Sequence, residues 1–393
     1  CLSDEVAARR ERPPQTSSHR DLSPSEHGLS PPIREPGSRL VGTCLFEALI
    51  NGDVLALFDR CRGEATSTGE GVRVRLCLNP RDCGLARIAS FPWELLYDPR
   101  VDQFLVLDPR TSVVRLYDAH HRPEVSPAEP PLRVLLAGAE VPGLQPLDLA
   151  HERRAIHAAV SDRSDVLVES LPHATRARLL DRLQEHQVSV LHLMMHGTFP
   201  EGEQKGQLAF EDGNGEADLV SGSDLSRQLR SGAPPRLVVL NTCLSATAST
   251  SNALTSVASA LVLGGCPAVV AMTSKIDDAA AIAFSSRLYT QLARGDCLDE
   301  AMAKARVAVD AEVPSILGEW SMPALFLSPQ AVAVLPPTTP SIPHASAEAG
   351  HRVDSQTQES LEAPQTGCTF TTTAQTIDKQ ISVNAPGGTI SIQ

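Results

Sequence analysis

His196 and Cys243 are the two side chains in this sequence whose type and placement point to covalent chemistry. Each closes an apolar run: VSVLHLMM leads into His196-Gly197, and RLVVLNT leads into Cys243. In open α/β sheets, functional groups collect at the carboxyl ends of the strands. If these two runs are neighbouring parallel strands, the thiol and the imidazole can approach each other. The imidazole then positions or accepts the thiol proton, and the thiolate attacks a carbonyl carbon. Gly197 has no side chain, so a substrate can approach its backbone. Its amide N–H, with that of Cys243, is a candidate for an oxyanion hole. The plainer alternative for one strand-end cysteine is core packing. It is the coincidence of both residues at two strand ends, 47 residues apart, that favours chemistry.

Positioning such a pair requires a sheet. Residues 132–328 alternate apolar strands with amphipathic helices. Strands are expected at 132–138, 166–171, 188–196, 236–242 and 268–274, with a short one at 207–212 suited to a hairpin. Helices are expected at 148–160, 174–186, 223–230, 252–265, 277–294 and 298–311, and WSMPALFLS at 320–328 closes the run. Buried strands separated by helices imply a mostly parallel sheet covered on both faces. Upstream, residues 40–60 carry helical spacing and VRVRLCL at 72–78 alternates as a strand. FLVLD and TSVVRLY at 111–117 read as further strands, before a Pro-rich hinge at 122–131. The expected organisation is a disordered Pro/Ser-rich segment at 1–38, an N-terminal portion at 39–131 and a core at 132–328. A Pro/Ser/Thr-rich linker at 329–366 and a short β-hairpin motif at 367–393 follow.

Composition excludes several classes. The net charge is 34 − 47 = −13, which disfavours nucleic acid as a partner. No apolar run reaches about 18 residues, so no membrane helix is expected. Nine cysteines, an odd number without a CxxC pair, read as mostly reduced thiols of a cytoplasmic protein. The chain opens on Cys1 rather than Met, so its true start is expected to be missing or processed; no signal peptide is visible. Cys44, Cys61, Cys77, Cys83, Cys266 and Cys297 have no metal-ligand spacing with histidine, and no metal or other cofactor is expected. Gly42, Gly264 and Gly265 lack the context of a nucleotide-binding loop. His192 shares a strand face with His196 but lies four residues back, and is expected in the core with Met194. Trp93 is expected to pack the N-terminal portion onto the sheet, Glu94 to bind an amide or an arginine, and Trp320 to be core. His120 and His121, before the hinge, are expected in solvent.

LHLMMHGTF around His196, with VVLNTCLSA around Cys243, resembles the CHAT family of caspase-like cysteine peptidases. FPWELLYDP at 91–99, followed by FLVLDP and VVRLY, resembles the start of that family's domain. The strand-helix-helix block at 264–306 and WSMPALFL at 320–327 resemble its end. The resemblance covers roughly 39–328. It implies a caspase-hemoglobinase-like three-layer α/β fold, a His196/Cys243 dyad and an oxyanion hole from the amides of Gly197 and Cys243. Asn-Thr-Cys-Leu-Ser departs from the caspase signature around its cysteine, so a preference for aspartate does not carry over. It further implies a latent cysteine endopeptidase acting on protein or peptide substrates, switched by a separate sensor or activator protein, as in bacterial stress or defence. The alternative is a non-catalytic signalling adaptor.

Asp277 and Asp278 follow the strand at 268–274, where a specificity pocket is expected. Acidic side chains there would select a basic residue before the scissile bond. The plain alternative for Asp277 is helix N-capping. Glu211, Asp212 and Asp224 are further acidic candidates, with Asp224 expected in the first turn of a helix. In the C-terminal tail, Ile377, Ile381 and Val383 share one face and Ile390 and Ile392 another, around the turn-type stretch NAPGG. Such a hairpin is marginal alone. It is expected to dock on a partner's sheet, on a second copy, or back on its own domain.

Overall fold

The computed structural model describes residues 36–77, 88–117, 131–198, 206–231, 234–241, 251–313, 318–329, 382–384 and 391–392. Its centre is a sheet whose strands are β1 (Val72–Leu76), β4 (Thr111–Leu116), β5 (Leu132–Gly138), β6 (Val166–Leu171), β7 (Val190–Met194), β11 (Leu237–Asn241), β12 (Ala268–Met272) and β13 (Pro323–Leu327). Every residue of β7, β11 and β12 is buried. Strands apolar on both faces are stable only between two layers of cover.

The strand order is β6-β5-β7-β11-β12-β13-β4-β1. From β6 to β12 all neighbours are parallel. β13 runs antiparallel to β12, and β4 and β1 follow β13 in parallel. These eight strands are thus two parallel blocks joined at one antiparallel seam, which bears out a mostly parallel α/β architecture.

The helices are α1 (Pro36–Leu49), α2 (Gly52–Thr68), α3 (Leu149–Ala159), α4 (Arg176–Glu185), α5 (Gly222–Leu229), α6 (Ser251–Leu263), α7 (Asp278–Arg294) and α8 (Leu298–Glu312). The chain leaves β5 through α3 toward β6, then reverses through α4 to reach β7 on the other side of β5. With right-handed crossovers, that reversal puts α3 on one face and α4, α5 and α6 on the other. α7 and α8 pack together, and α7 packs on α3, which completes the three layers. The reversal also makes β5/β7 the switch point of the sheet, where open α/β folds place their sites.

Several sequence expectations needed correction. The helical stretch 40–60 is two helices bent by 104°. Asn51 breaks it by turning its side-chain amide back onto the carbonyls of Glu47 and Ala48, and Gly52 follows with φ +52°. FLVLD is not one strand: β2 (Tyr97–Asp98) pairs with β3 (Gln103–Phe104), and Leu105–Leu107 form a 3-10 turn. The run at 188–196 does not continue to His196 as one strand. It ends at Met194, and His196 opens β8 (His196–Thr198). β8 pairs with β9 (Gln207–Glu211), and β9 with β10 (Ala217–Ser221), in a separate three-stranded antiparallel sheet.

Two buried ion pairs fix the N-terminal portion. Arg115 meets Glu94 at 2.7 Å and donates to the carbonyl of Ala89. Arg73 on β1 holds Asp299 on α8 through Nε at 2.9 Å. Trp93 and Trp320 are buried. β14 (Ser382–Asn384) and β15 (Ser391–Ile392) pair with the outer edge of β1, so these C-terminal strands lie on their own domain's sheet. No single helix among the described residues is long and apolar enough to cross a membrane.

Candidate active site

The two candidate residues follow the ends of two neighbouring strands. β7 and β11 pair in parallel with Met194 opposite Asn241. His196 follows Met194 by two residues, and Cys243 follows Asn241 by two residues. Cys243 itself lies outside the described residues, as do His120 and His121. Gly197 is the second residue of β8, opposite Leu208 of β9.

The imidazole of His196 is 2% exposed. Its Nε2 lies 2.8 Å from the backbone carbonyl of Gln145, in the β5–α3 connection. A carbonyl oxygen can only accept, so Nε2 carries the proton. In the neutral ring Nδ1 then holds the lone pair. Sequence reasoning missed this contact, because a backbone carbonyl has no signature in residue type.

Beneath the strand ends lies a buried polar cluster. Glu152 Oε1 accepts hydrogen bonds from Asn241 Nδ2 and from Ser285 Oγ, the latter at 2.8 Å. His192 Nε2 approaches the same oxygen at 3.1 Å, without the alignment of a hydrogen bond. His192 Nδ1 lies 3.0 Å from the Tyr289 hydroxyl. His192 and Ser285 are fully buried, and Glu152 and Asn241 nearly so. Burial, with Glu152 close by, raises the Tyr289 hydroxyl well above its ordinary range, so it stays protonated and can donate. The signal for Glu152 was present in the sequence. It sits four residues before Ile156, on the face of α3 that turns inward, and a carboxylate on a core-facing stripe needs partners.

A small cleft of about 20 Å³, room for one water molecule, opens beside this cluster between Asp148, Glu152, Asn241 and Asp278. Asn241 Oδ1 has no hydrogen-bond partner among the described residues. Asp277 does not line this cleft. It caps α7, accepting from the Ala279 amide at 2.9 Å, and its own N–H donates to Glu319. Asp224 lies in the first turn of α5, capped by Ser221. Asp212 accepts from the amides of Asn214 and Glu216 in the β9–β10 turn.

Glu211 binds the Glu140 amide and lies 3.2 Å from His173. These three residues and Arg153 line a larger cavity of about 180 Å³ at the ends of β5 and β6. Cys266 and Cys61 are buried and Cys44 is exposed. Burial drives the Cys266 thiol up to about 12. No metal-binding cluster of His, Cys, Asp or Glu occurs among the described residues.

The family described as CHAT domain matches residues 39–325. No curated protein matches the chain in sequence. Among solved structures, the chain is similar to the pro- and mature domains of Porphyromonas gingivalis RgpB, with TM-score 0.43 and 12% identity, over 74% of this chain and 72% of that one. It is similar to the Drosophila initiator caspase Dronc with TM-score 0.34 and 11% identity, over 56% of this chain and 92% of that one. The Saccharomyces cerevisiae separase–securin complex gives TM-score 0.38 and 14% identity over 65% of this chain, which spans 15% of the length of the chain it matches.

Proposed function

The chain belongs to the CHAT domain family, and on that premise we propose that it is a cysteine endopeptidase with His196 and Cys243 as its dyad. The observation that carries the proposal is the register of β7 and β11. It sets the residues two before His196 and two before Cys243 opposite each other, while the Gln145 carbonyl holds the His196 ring with Nδ1 as the basic nitrogen.

In this mechanism Nδ1 of His196 takes the Cys243 thiol proton. The thiolate attacks the scissile carbonyl, and the oxyanion is met by the amides of Gly197 and Cys243. The imidazolium returns the proton to the departing amine as the C–N bond breaks, leaving a thioester. Water, giving its proton to His196, then displaces the sulfur and frees the carboxylate product.

Asp278, in the first turn of α7 beyond the end of β12, makes a basic side chain the preferred residue before the scissile bond. The substrate is a protein or peptide. An always-active thiol peptidase endangers its host, so activation by a separate sensor protein, in bacterial stress or defence signalling in the cytoplasm, completes the proposal.

The test is cleavage of a peptide library by the full chain, mapped by mass spectrometry, with Cys243→Ala as control. Cuts after Lys or Arg that vanish in the control are expected. Fragments that persist in the control, or a Cys243 no more reactive toward iodoacetamide than the exposed Cys44, would sink the proposal.

A further inference from the structure

We propose that Glu152 is a positioning residue for the dyad, acting as the node that ties β7 and β11, the strands that lead into His196 and Cys243, to the helical layer beside them. The inference rests on the peptidase proposal above.

The geometry is specific. On β7, His192 stands four residues before His196 on the face that meets α3 and α7. On β11, Asn241 stands two residues before Cys243 and opposite Met194. One carboxylate oxygen of Glu152 reaches both strands: Asn241 Nδ2 donates to it, and His192 Nε2 lies 3.1 Å away. Ser285 of α7 donates to the same oxygen, and Tyr289, one turn further along α7, meets the other side of His192.

His192 stands between the two groups, with Nδ1 3.0 Å from the Tyr289 hydroxyl and Nε2 3.1 Å from Glu152 Oε1. Glu152 accepts from Asn241 and Ser285 and lies beside the His192 ring. A carboxylate held among partners on β7, β11 and α7 is an expensive thing to bury unless all of them stay in place. It therefore opposes relative sliding of β7 and β11, a motion that would shift the residues that follow them, His196 and Cys243, relative to each other. Proximity of this kind fails steeply, since a displacement of about 1 Å costs on the order of 100-fold.

Alkylation of Cys243 by iodoacetamide reads the consequence directly, without knowledge of the substrate. Its rate is measured from pH 5 to 9 in the full chain, by peptide mass spectrometry, for wild type, His196→Ala, Glu152→Ala, Glu152→Gln and Asn241→Ala. A thermal melt on each confirms folding. In the wild type the Cys243 thiol is expected to titrate below the free-thiol value of ~8.5, and in His196→Ala to return to it. Glu152→Ala and Asn241→Ala are expected to shift the same way, with alkylation at pH 6.5 falling about tenfold or more. Glu152→Gln keeps a neutral acceptor at the same place and is expected in between, because charge-assisted hydrogen bonds are roughly twice as strong as neutral ones.

If Glu152→Ala does not fold, Asn241→Ala and Glu152→Gln decide. Both folded with the wild-type pH profile would overturn the positioning role while leaving the dyad standing. Wild type and His196→Ala with the same profile would remove the dyad itself, and this inference with it.

Discussion

Replacing Asp299 by Asn tests whether the N-terminal portion and the core fold as one unit. Arg73 belongs to β1 and Asp299 to α8, and their side chains are 3% and 5% exposed. Ser112 of β4 also donates to Asp299, at 2.6 Å. Burial alone would raise this carboxyl, but the Arg73 guanidinium and the Ser112 hydroxyl hold it below the usual aspartate range. The Asn variant keeps the shape and removes the charge, leaving a guanidinium buried without its counter-ion. Breaking a buried pair in this way costs about 3–5 kcal/mol, or roughly two to four decades in the unfolding constant.

Set against a total stability of about 5–15 kcal/mol, that loss moves the urea midpoint visibly without changing the slope. Because β1 and β4 lie in the same sheet as the core strands, the transition should remain single. The folded-state pKa of Asp299 is depressed, so its contribution is complete above the unfolded value of ~3.9 and is lost as pH falls through the lower folded value. The variant should therefore lack that part of the acid limb. A companion variant, Arg73→Met with Ser112→Ala and Asp299→Leu, replaces all three polar partners by apolar groups and should recover most of the loss. The reasoning fails if Asp299→Asn costs under about 1 kcal/mol, if the apolar variant is no better, or if residues 39–131 unfold in a separate transition.

Three further outcomes follow from the site and its surroundings. Asp278→Ala should lower kcat/KM for substrates with Lys or Arg before the scissile bond by about tenfold or more, near 1.4 kcal/mol, and leave neutral substrates little changed; equal losses on both would remove the preference for a basic residue. The native chain at pH 8 should leave Cys266 unmodified by iodoacetamide while Cys44 reacts, since burial holds the Cys266 thiol near 12; early labelling of Cys266 would contradict its packing. Gly42→Ala should cost about 1–3 kcal/mol in a denaturant titration, because the added Cβ would stand 2.1 Å from the Leu95 carbonyl oxygen and 2.8 Å from Tyr97 Cβ; an unchanged midpoint would show that α1 can shift off Leu95.

The mostly apolar runs LRVLLAG, VLHLM, LVVLN and AVVAM were legible as buried strands, since a run so short of polar residues has to be covered on both sides. The helix starts were legible too, because Asp148, Thr175, Ser221 and Asp277 supply the acceptor that a first turn lacks. Other features resisted reading from sequence. The break at Asn51 is a local competition between a side-chain amide and the helix, which a spacing count does not weigh. The step of His196 into a second sheet depends on β9 being there to pair with it.

Residue types and their spacing alone determined the layered α/β class, the buried strands and the choice of His196 and Cys243 as the reactive candidates, because burial periodicity and capping are encoded within a few neighbouring residues. Only the tertiary structure decided that β7 and β11 are neighbours in a given register, that Gln145 offers its carbonyl to His196, and that Glu152, His192, Asn241 and Ser285 converge. Those contacts join positions from 40 to 133 residues apart. Their partners are selected by the packing of the whole sheet and its two helical layers, a sum over the chain that no local stretch records.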